Sequence, residues 1–278
     1  MPGAKRARSI PVASRTIEVA GMQQNDNKAR SAEFFFFERA STDLPYYRGV
    51  PVGLGPVGWI IVLVAVAAAY LVFSSIQLRF HSGMAGFIPP FLLVLIPLGA
   101  LAIVAGSRAP LALFRTPKVR DFGLMIAFFV LNAVVTITVG NLLVKYFHTV
   151  SNPIGDMVAS AAAPEAVLIF AWSAVQLLGE EIFTILPFLA VLTLLDRFVP
   201  RKLAVCLAAL VAAIPFAAIH LPTYQWNVAQ AFIGLVPVRI ILLMPFIITR
   251  NIWASTGAHI LNDWAIFALA AAAGMDAA

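Results

Sequence analysis

The longest apolar run of the chain, Ala166–Leu195, carries two adjacent carboxylates, Glu180 and Glu181, behind Gly179. Wholly helical, such a run is about 45 Å long at ~1.5 Å per residue, well beyond a hydrocarbon core of ~30 Å. It must tilt, break near Pro187, or reach into an aqueous cavity. An ionised carboxylate in hydrocarbon costs several kcal/mol or more, and a like charge beside it adds to that cost. A run that only anchored the chain would carry leucine at these positions. The pair therefore marks a working site, and the rest of the sequence must supply its partners.

The surrounding sequence is that of a membrane protein. Of 278 residues, 61% are hydrophobic and 12% charged, and the mean hydropathy is +0.92. The apolar residues lie in blocks rather than periodic stripes. The expected fold is all-α, a polytopic membrane helical bundle of about seven transmembrane helices. Expected spans are Val57–Ile76, Phe87–Val104, Phe122–Val144, Ala166–Leu195, Leu203–Ile219, Val228–Ile248 and Ile252–Ala272. Residues 1–50 read as a basic cytoplasmic extension, partly disordered, and 51–278 as the transmembrane domain. Within the extension, Phe34–Arg39 and Tyr46-Tyr47-Arg48 fit an interfacial segment with an aromatic-basic anchor. The extension has no apolar core of its own, so no cleavable signal is expected and the first span acts as an anchor.

The net charge of +6 does not point to nucleic acid, because of where the basic residues stand. Eight of the nineteen Lys and Arg precede Pro51, and most others fall in alternate connections. Arg108, Arg115, Lys118 and Arg120 follow the second span, Arg197, Arg201 and Lys202 the fourth, and Arg250 the sixth. That asymmetry places the N-terminus in the cytoplasm. The single cysteine, Cys206, excludes an internal disulfide and reads as a small packing residue. His81 and His148 read as solvated interface residues.

The ionisable residues within or beside the spans are few: Glu180, Glu181, Arg239, His259 and Asp263, with His220 just past the fifth. Counted from the basic ends at ~1.5 Å per residue, Glu180 stands roughly 25 Å up, His220 roughly 27 Å, Asp263 roughly 20 Å and His259 roughly 14 Å. Groups from three spans thus approach one layer. Phe216 and His220 share a helix face, as do His259 and Asp263. The two glutamates lie about 100° apart, so one can face a cavity while the other braces a neighbouring helix or a histidine. Arg239 is a candidate partner for Glu181 or Asp263.

A carboxylate beside an imidazole in a poorly hydrated cavity can deprotonate water. A second histidine with an Asx neighbour can bind the oxyanion formed when that water attacks a peptide carbonyl. Neither Gly-x-Ser-x-Gly nor His-Glu-x-x-His occurs. Two His, a Glu and an Asp are still an adequate ligand set for a divalent cation such as zinc, so His220, His259, Glu180 and Asp263 are also candidate metal ligands.

Three patterns occur in order on three apolar segments: Glu180-Glu181-Ile182-Phe183-Thr184-Ile185, Phe216-Ala217-Ala218-Ile219-His220, and His259-Ile260-Leu261-Asn262-Asp263. In order and spacing the chain resembles the CPBP family, the CAAX proteases and bacteriocin-processing enzymes also called Abi proteins. The family pattern is Glu-Glu-x-x-x-Arg, Phe-x-x-x-His, and His-x-x-x-Asn or Asp. The resemblance covers 165–272 and implies a membrane-embedded protease, glutamic or metal-dependent, acting on a membrane-associated or lipidated protein or peptide. It makes Glu180 the base, His220 its partner, and His259 with Asp263 the oxyanion site, with Glu181 in support. Phe216, Asn262 and Arg239 are supporting candidates. The expected surroundings are the lipid bilayer of a bacterial plasma membrane, without nucleic acid.

Two departures stand out. Ile185 occupies the place of the motif arginine, which puts CAAX-like C-terminal specificity in question and leaves its role to Arg239. Asp263 can donate a hydrogen bond only when protonated, whereas Asn262 carries an amide one residue earlier. The alternative functions are a membrane adaptor or immunity-type protein on the same fold and, more weakly supported, a proton-coupled transporter.

Overall fold

The computed structural model describes residues 33–38 and 42–276. The basic stretch before residue 33, including the expected disorder there, lies outside the described residues. From Pro56 on, eight α-helices follow one another among the described residues: α1 Pro56–Ile76, α2 Ile88–Ala105, α3 Val119–Tyr146, α4 Pro153–Ser160, α5 Ala163–Leu195, α6 Arg201–Ile219, α7 Leu235–Thr249 and α8 Ile252–Asp276. Short 3-10 turns, Gly83–Phe87 and Ala109–Ala112, flank α2, and a π turn, Gln230–Gly234, leads into α7. No strand occurs among the described residues. The protein is an all-α membrane bundle.

Among the described residues six segments are long and apolar enough to cross a membrane, namely Pro56–Ile76, Gly83–Ala105, Val119–Tyr146, Ala163–Leu195, Arg201–Ile219 and Gln230–Thr249. The seventh expected span falls on α8, whose central turns carry His259, Asn262 and Asp263.

Chain punctuation explains the helix ends. Prolines open α1, α2, α4 and α5 in the first turn, where a missing N–H costs nothing. Asn152 caps α4 by accepting from the Ile154 N–H at 3.1 Å. Asp121 takes the Lys118 N–H at 3.0 Å at the start of α3. Arg250 ends α7 in the left-handed region, φ 56°.

Around α5 the bundle is organised. It touches α1, α2, α6, α7 and α8. In its apolar span 72% of the residues are buried, against 6% for α3, which lies at the outside. Pro187 does not break α5, which runs as one helix from Ala163 to Leu195. Gly179 lets α2 approach closely: a Cβ there would lie 2.7 Å from Leu93 Cγ. Cys206, expected inside, is exposed on α6. His81 and His148 are exposed.

The segment before α1 departs from the expected headgroup anchor. Tyr46 and Tyr47 are buried, and the Tyr46 hydroxyl donates to the Ala109 carbonyl at 2.7 Å. Burial raises the pKa of both tyrosines. Glu38 is buried too, and its Oε2 accepts from Arg201 at 2.7 Å and from Arg250 at 2.8 Å. Arg48 pairs with Asp196 at 3.0 Å. Two arginines counted above as connection charges are therefore internal, tied to the preceding segment. Aromatic and basic residues suit a headgroup layer and a protein surface equally; here buried counter-charges decide for the protein.

Burial pushes the Arg250 guanidinium down from its ordinary value, and Glu38 is the counter-charge that opposes this. Removing one partner of such a group leaves buried charge uncompensated. Glu38→Leu is expected to destabilise the detergent-solubilised protein by about 3–5 kcal/mol in denaturant unfolding. A loss below about 1 kcal/mol, the value of an exposed pair, would contradict this clasp.

Candidate active site

Four helices bring the sequence-derived residues together. α5 contributes Glu180 and Glu181, α6 ends at Phe216 and His220, α7 carries Arg239, and α8 carries His259, Asn262 and Asp263. A cavity of about 210 Å³ is lined by Glu180, Phe216, His220, Tyr224, His259, Asn262 and Asp263 among others. A larger one, about 390 Å³, lies on the α1–α2–α4 side and is lined by apolar residues such as Phe73, Pro89 and Trp172. It shares Glu180, His220 and Asp263 with the first. The polar row thus stands between two chambers.

The two glutamates have different surroundings. Glu181 is fully buried, and its Oε1 lies 2.9 Å from His259 Nδ1. Its Oε2 lies 2.7 Å from Arg239 Nη2, a close charge contact rather than an aligned hydrogen bond. Both carboxylate oxygens are thereby committed. Glu180 accepts from Gln176 Nε2 at Oε1, 2.9 Å, one turn back on α5. Its Oε2 has no hydrogen-bond donor among the described residues, and the side chain retains 10% exposure to the cavities. That oxygen stands 3.9 Å from His259 Nε2.

Protons follow from these partners. A carboxylate only accepts, so His259 Nδ1 carries the hydrogen it gives to Glu181. Arg239 Nη1, 3.4 Å from the same nitrogen, is then a neighbour and not a bonding partner. His259 Nε2 remains, 3.7 Å from Asp263 Oδ2. His220 Nδ1 donates to the Phe216 carbonyl at 2.8 Å, so in the neutral ring Nε2 is the acceptor. Phe216 packs against His220 and His259, with ring centroids 4.6 and 6.3 Å apart, and holds the Arg239 guanidinium over its face at 4.8 Å. Tyr224, in the loop after α6, has its hydroxyl pushed up to about 12 by burial and by the carboxylates of Asp263 and Glu180.

Ile185 lies fully buried in the apolar core, one helical turn after Glu181. An arginine at that position could reach Glu181 along the same face. In this chain the guanidinium comes from α7 instead, through Arg239.

Several residues were missed by the sequence reading. Gln176 stands four residues before Glu180, so helical spacing could have found it. Asn132, fully buried on α3, donates to Asn262 Oδ1 at 2.9 Å. A lone amide amid Val130, Leu131 and Val134 carried the same signal as the glutamates. Tyr224 gave no such signal, since an aromatic residue in a membrane connection is ordinary.

No three His, Cys, Asp or Glu side chains among the described residues converge as a metal-ligand set.

Fold and site together define a membrane-embedded helical protein with a carboxylate–histidine centre between two cavities. Residues 162–265, the stretch that carries all three motifs, match the family model described as Type II CAAX prenyl endopeptidase Rce1-like. Over that stretch, somewhat more than a third of the chain, the protein is similar to the CAAX prenyl endopeptidases. No curated protein and no solved structure matches the chain.

Arg239→Leu is expected to cost about 3–5 kcal/mol of stability, because Glu181 is left charged and buried. Adding Glu181→Gln should return part of that loss in a double-mutant cycle of denaturant unfolding. Simple additivity of the two changes would contradict the pairing.

Proposed function

We propose that the protein is an intramembrane endopeptidase that hydrolyses a peptide bond of a membrane-bound peptide or protein by a Glu180-activated water. One observation carries the reading: of two adjacent buried carboxylates, Glu181 is held by Arg239 and His259, while Glu180 presents an oxygen without a donor to both cavities.

In this reading a water sits between Glu180 Oε2 and His220 Nε2. Glu180 takes one proton as the water oxygen bonds to the scissile carbonyl carbon, and the carbonyl electron pair moves onto oxygen. The resulting oxyanion faces His259 Nε2 and Asp263 Oδ2. With Nδ1–H given to Glu181, His259 donates to the oxyanion only when Nε2 also carries a proton. Asp263 likewise donates only as the acid. Collapse of the adduct breaks the C–N bond, and Glu180 returns its proton to the leaving amine. No covalent enzyme intermediate is needed. Such electrostatic stabilisation in a water-poor site is the main catalytic resource of hydrolases.

Loss of the motif arginine was the chief ground for the adaptor alternative. Arg239 weakens that ground, because Glu181 retains a guanidinium partner. Ile185 still offers no cation to a substrate's C-terminal carboxylate, so we propose that end recognition rests on the cavity walls. The orientation with a cytoplasmic N-terminus is part of the proposal.

The test uses purified protein in liposomes with a pool of farnesylated C-terminal peptides and unlipidated transmembrane peptides, with products read by mass spectrometry. The wild-type chain is expected to release defined fragments. Glu180→Gln should lower turnover by about a hundred- to ten-thousandfold, the contribution of a general base, with the unfolding midpoint held. Wild-type turnover by Glu180→Gln, or no cleavage of either peptide class by the wild type, would overturn the reading.

A further inference from the structure

Asp263 presents a question that the proposed reaction leaves open. A carboxylic acid has two oxygens, and only the one carrying the proton can donate to an oxyanion. Which oxygen carries it is decided by what faces the other.

Asp263 Oδ1 lies 2.9 Å from Asn262 Nδ2, an obligatory donor. With its amide nitrogen turned to Asp263, Asn262 turns its carbonyl oxygen the other way, where it accepts from Asn132 Nδ2 at 2.9 Å. Asn132 comes from α3, the outermost long helix, and is fully buried there. Its own Oδ1 has no partner among the described residues. A buried amide in a membrane-spanning helix is costly unless satisfied, and this one is half satisfied, all of its contribution going to Asn262.

With Asp263 Oδ1 unprotonated the polarity of this chain is fixed, and only a proton on Oδ1 itself would let both amides turn over together. An Asn132 oxygen turned toward Asn262 would meet a carbonyl oxygen. An Asn262 flipped to relieve that would set its own oxygen against Asp263 Oδ1. We infer that Asn132 is a positioning residue: through Asn262 it holds Asp263 Oδ1 as an acceptor in this arrangement and so directs an Asp263 proton to Oδ2, the atom 3.7 Å from His259 Nε2 on a residue that lines the cavity. The inference rests on the endopeptidase reading above. Asn132 touches no reacting atom. It acts at two removes, by holding an amide that holds a carboxyl group. Other groups around the Asp263 carboxyl are Glu180 from α5, His220 from α6, Tyr224 from the following loop and His259 on its own helix, none of which engages Oδ1.

The relay separates from a packing role by the order of substitutions. Asn132→Leu keeps the volume and suits an apolar span, but removes the donor. Asn132→Gln keeps a donor on a longer arm, and Asn132→Asp replaces donor by acceptor. Turnover and KM are measured on the same farnesylated and transmembrane peptide pool, with unfolding midpoints measured beside them. The relay gives kcat in the order Asn, Gln, Leu, Asp, with Leu about 10- to 100-fold below wild type, as for residues that orient a catalytic group, and KM within about twofold. Should the Asp variant not fold, the Gln and Leu variants carry the comparison. Packing alone gives the opposite order, with Leu at or above Gln, and that order would overturn the inference. So would a wild-type kcat for Asn132→Leu. Glu180→Gln is run in parallel. If it turns over like wild type, the endopeptidase reading falls; if it is silent while Asn132→Leu is fully active, only the relay falls.

Discussion

A single buried carboxylate, Glu181, determines how this bundle can close. Within a membrane an unpaired charge is untenable, so α5 cannot pack until neighbouring helices deliver counter-groups. α7 delivers Arg239 and α8 delivers His259, both within 3 Å of the carboxylate. The same two contacts fix the rotation of α7 and α8 about their axes. They also set the tautomer of His259 and stack Arg239 on Phe216 at the end of α6. A charge that looks like a burden on stability thereby registers four helices against one another.

That registration frees its neighbour. One residue along a helix is about 100° of rotation, so Glu180 leaves the Arg239 side and enters the cavity wall. Gln176 holds one of its oxygens, and the other is left without a donor. Differentiating two identical side chains by surroundings alone is a general route to acid–base function. Gly179, just before them, allows α2 to close over the same turn of α5. At the far end of the bundle a second buried charge set, Glu38 with Arg201 and Arg250, ties the segment before α1 to the start of α6 and the end of α7.

Much of this was legible in the sequence because hydrocarbon makes polar residues conspicuous. Depth counting from Arg197, Lys202 and Arg250 brought Glu180, His220, His259 and Asp263 to one layer, and all four line a common cavity. Span limits followed from the apolar blocks between charged connections. The division of labour between Glu180 and Glu181 needed α7 and α8, since adjacent residues look alike until other helices are placed. Asn132 was passed over although an amide in an apolar run is conspicuous, and nothing in the run pointed to its partner, 130 residues away. The tyrosines before α1 and Cys206 misled for one reason: their composition suits a lipid-facing and a protein-facing site equally.

The central claim is that the reacting carbon sits against Glu180 and not Glu181. A cryo-electron microscopy structure with a phosphinate peptide, whose tetrahedral phosphorus imitates the water adduct, tests it most directly. The account places one phosphinate oxygen between Glu180 and His220 and the other toward His259 and Asp263, with Glu181 still on Arg239. A phosphinate coordinated by Glu181, or bound away from both histidines, would contradict it.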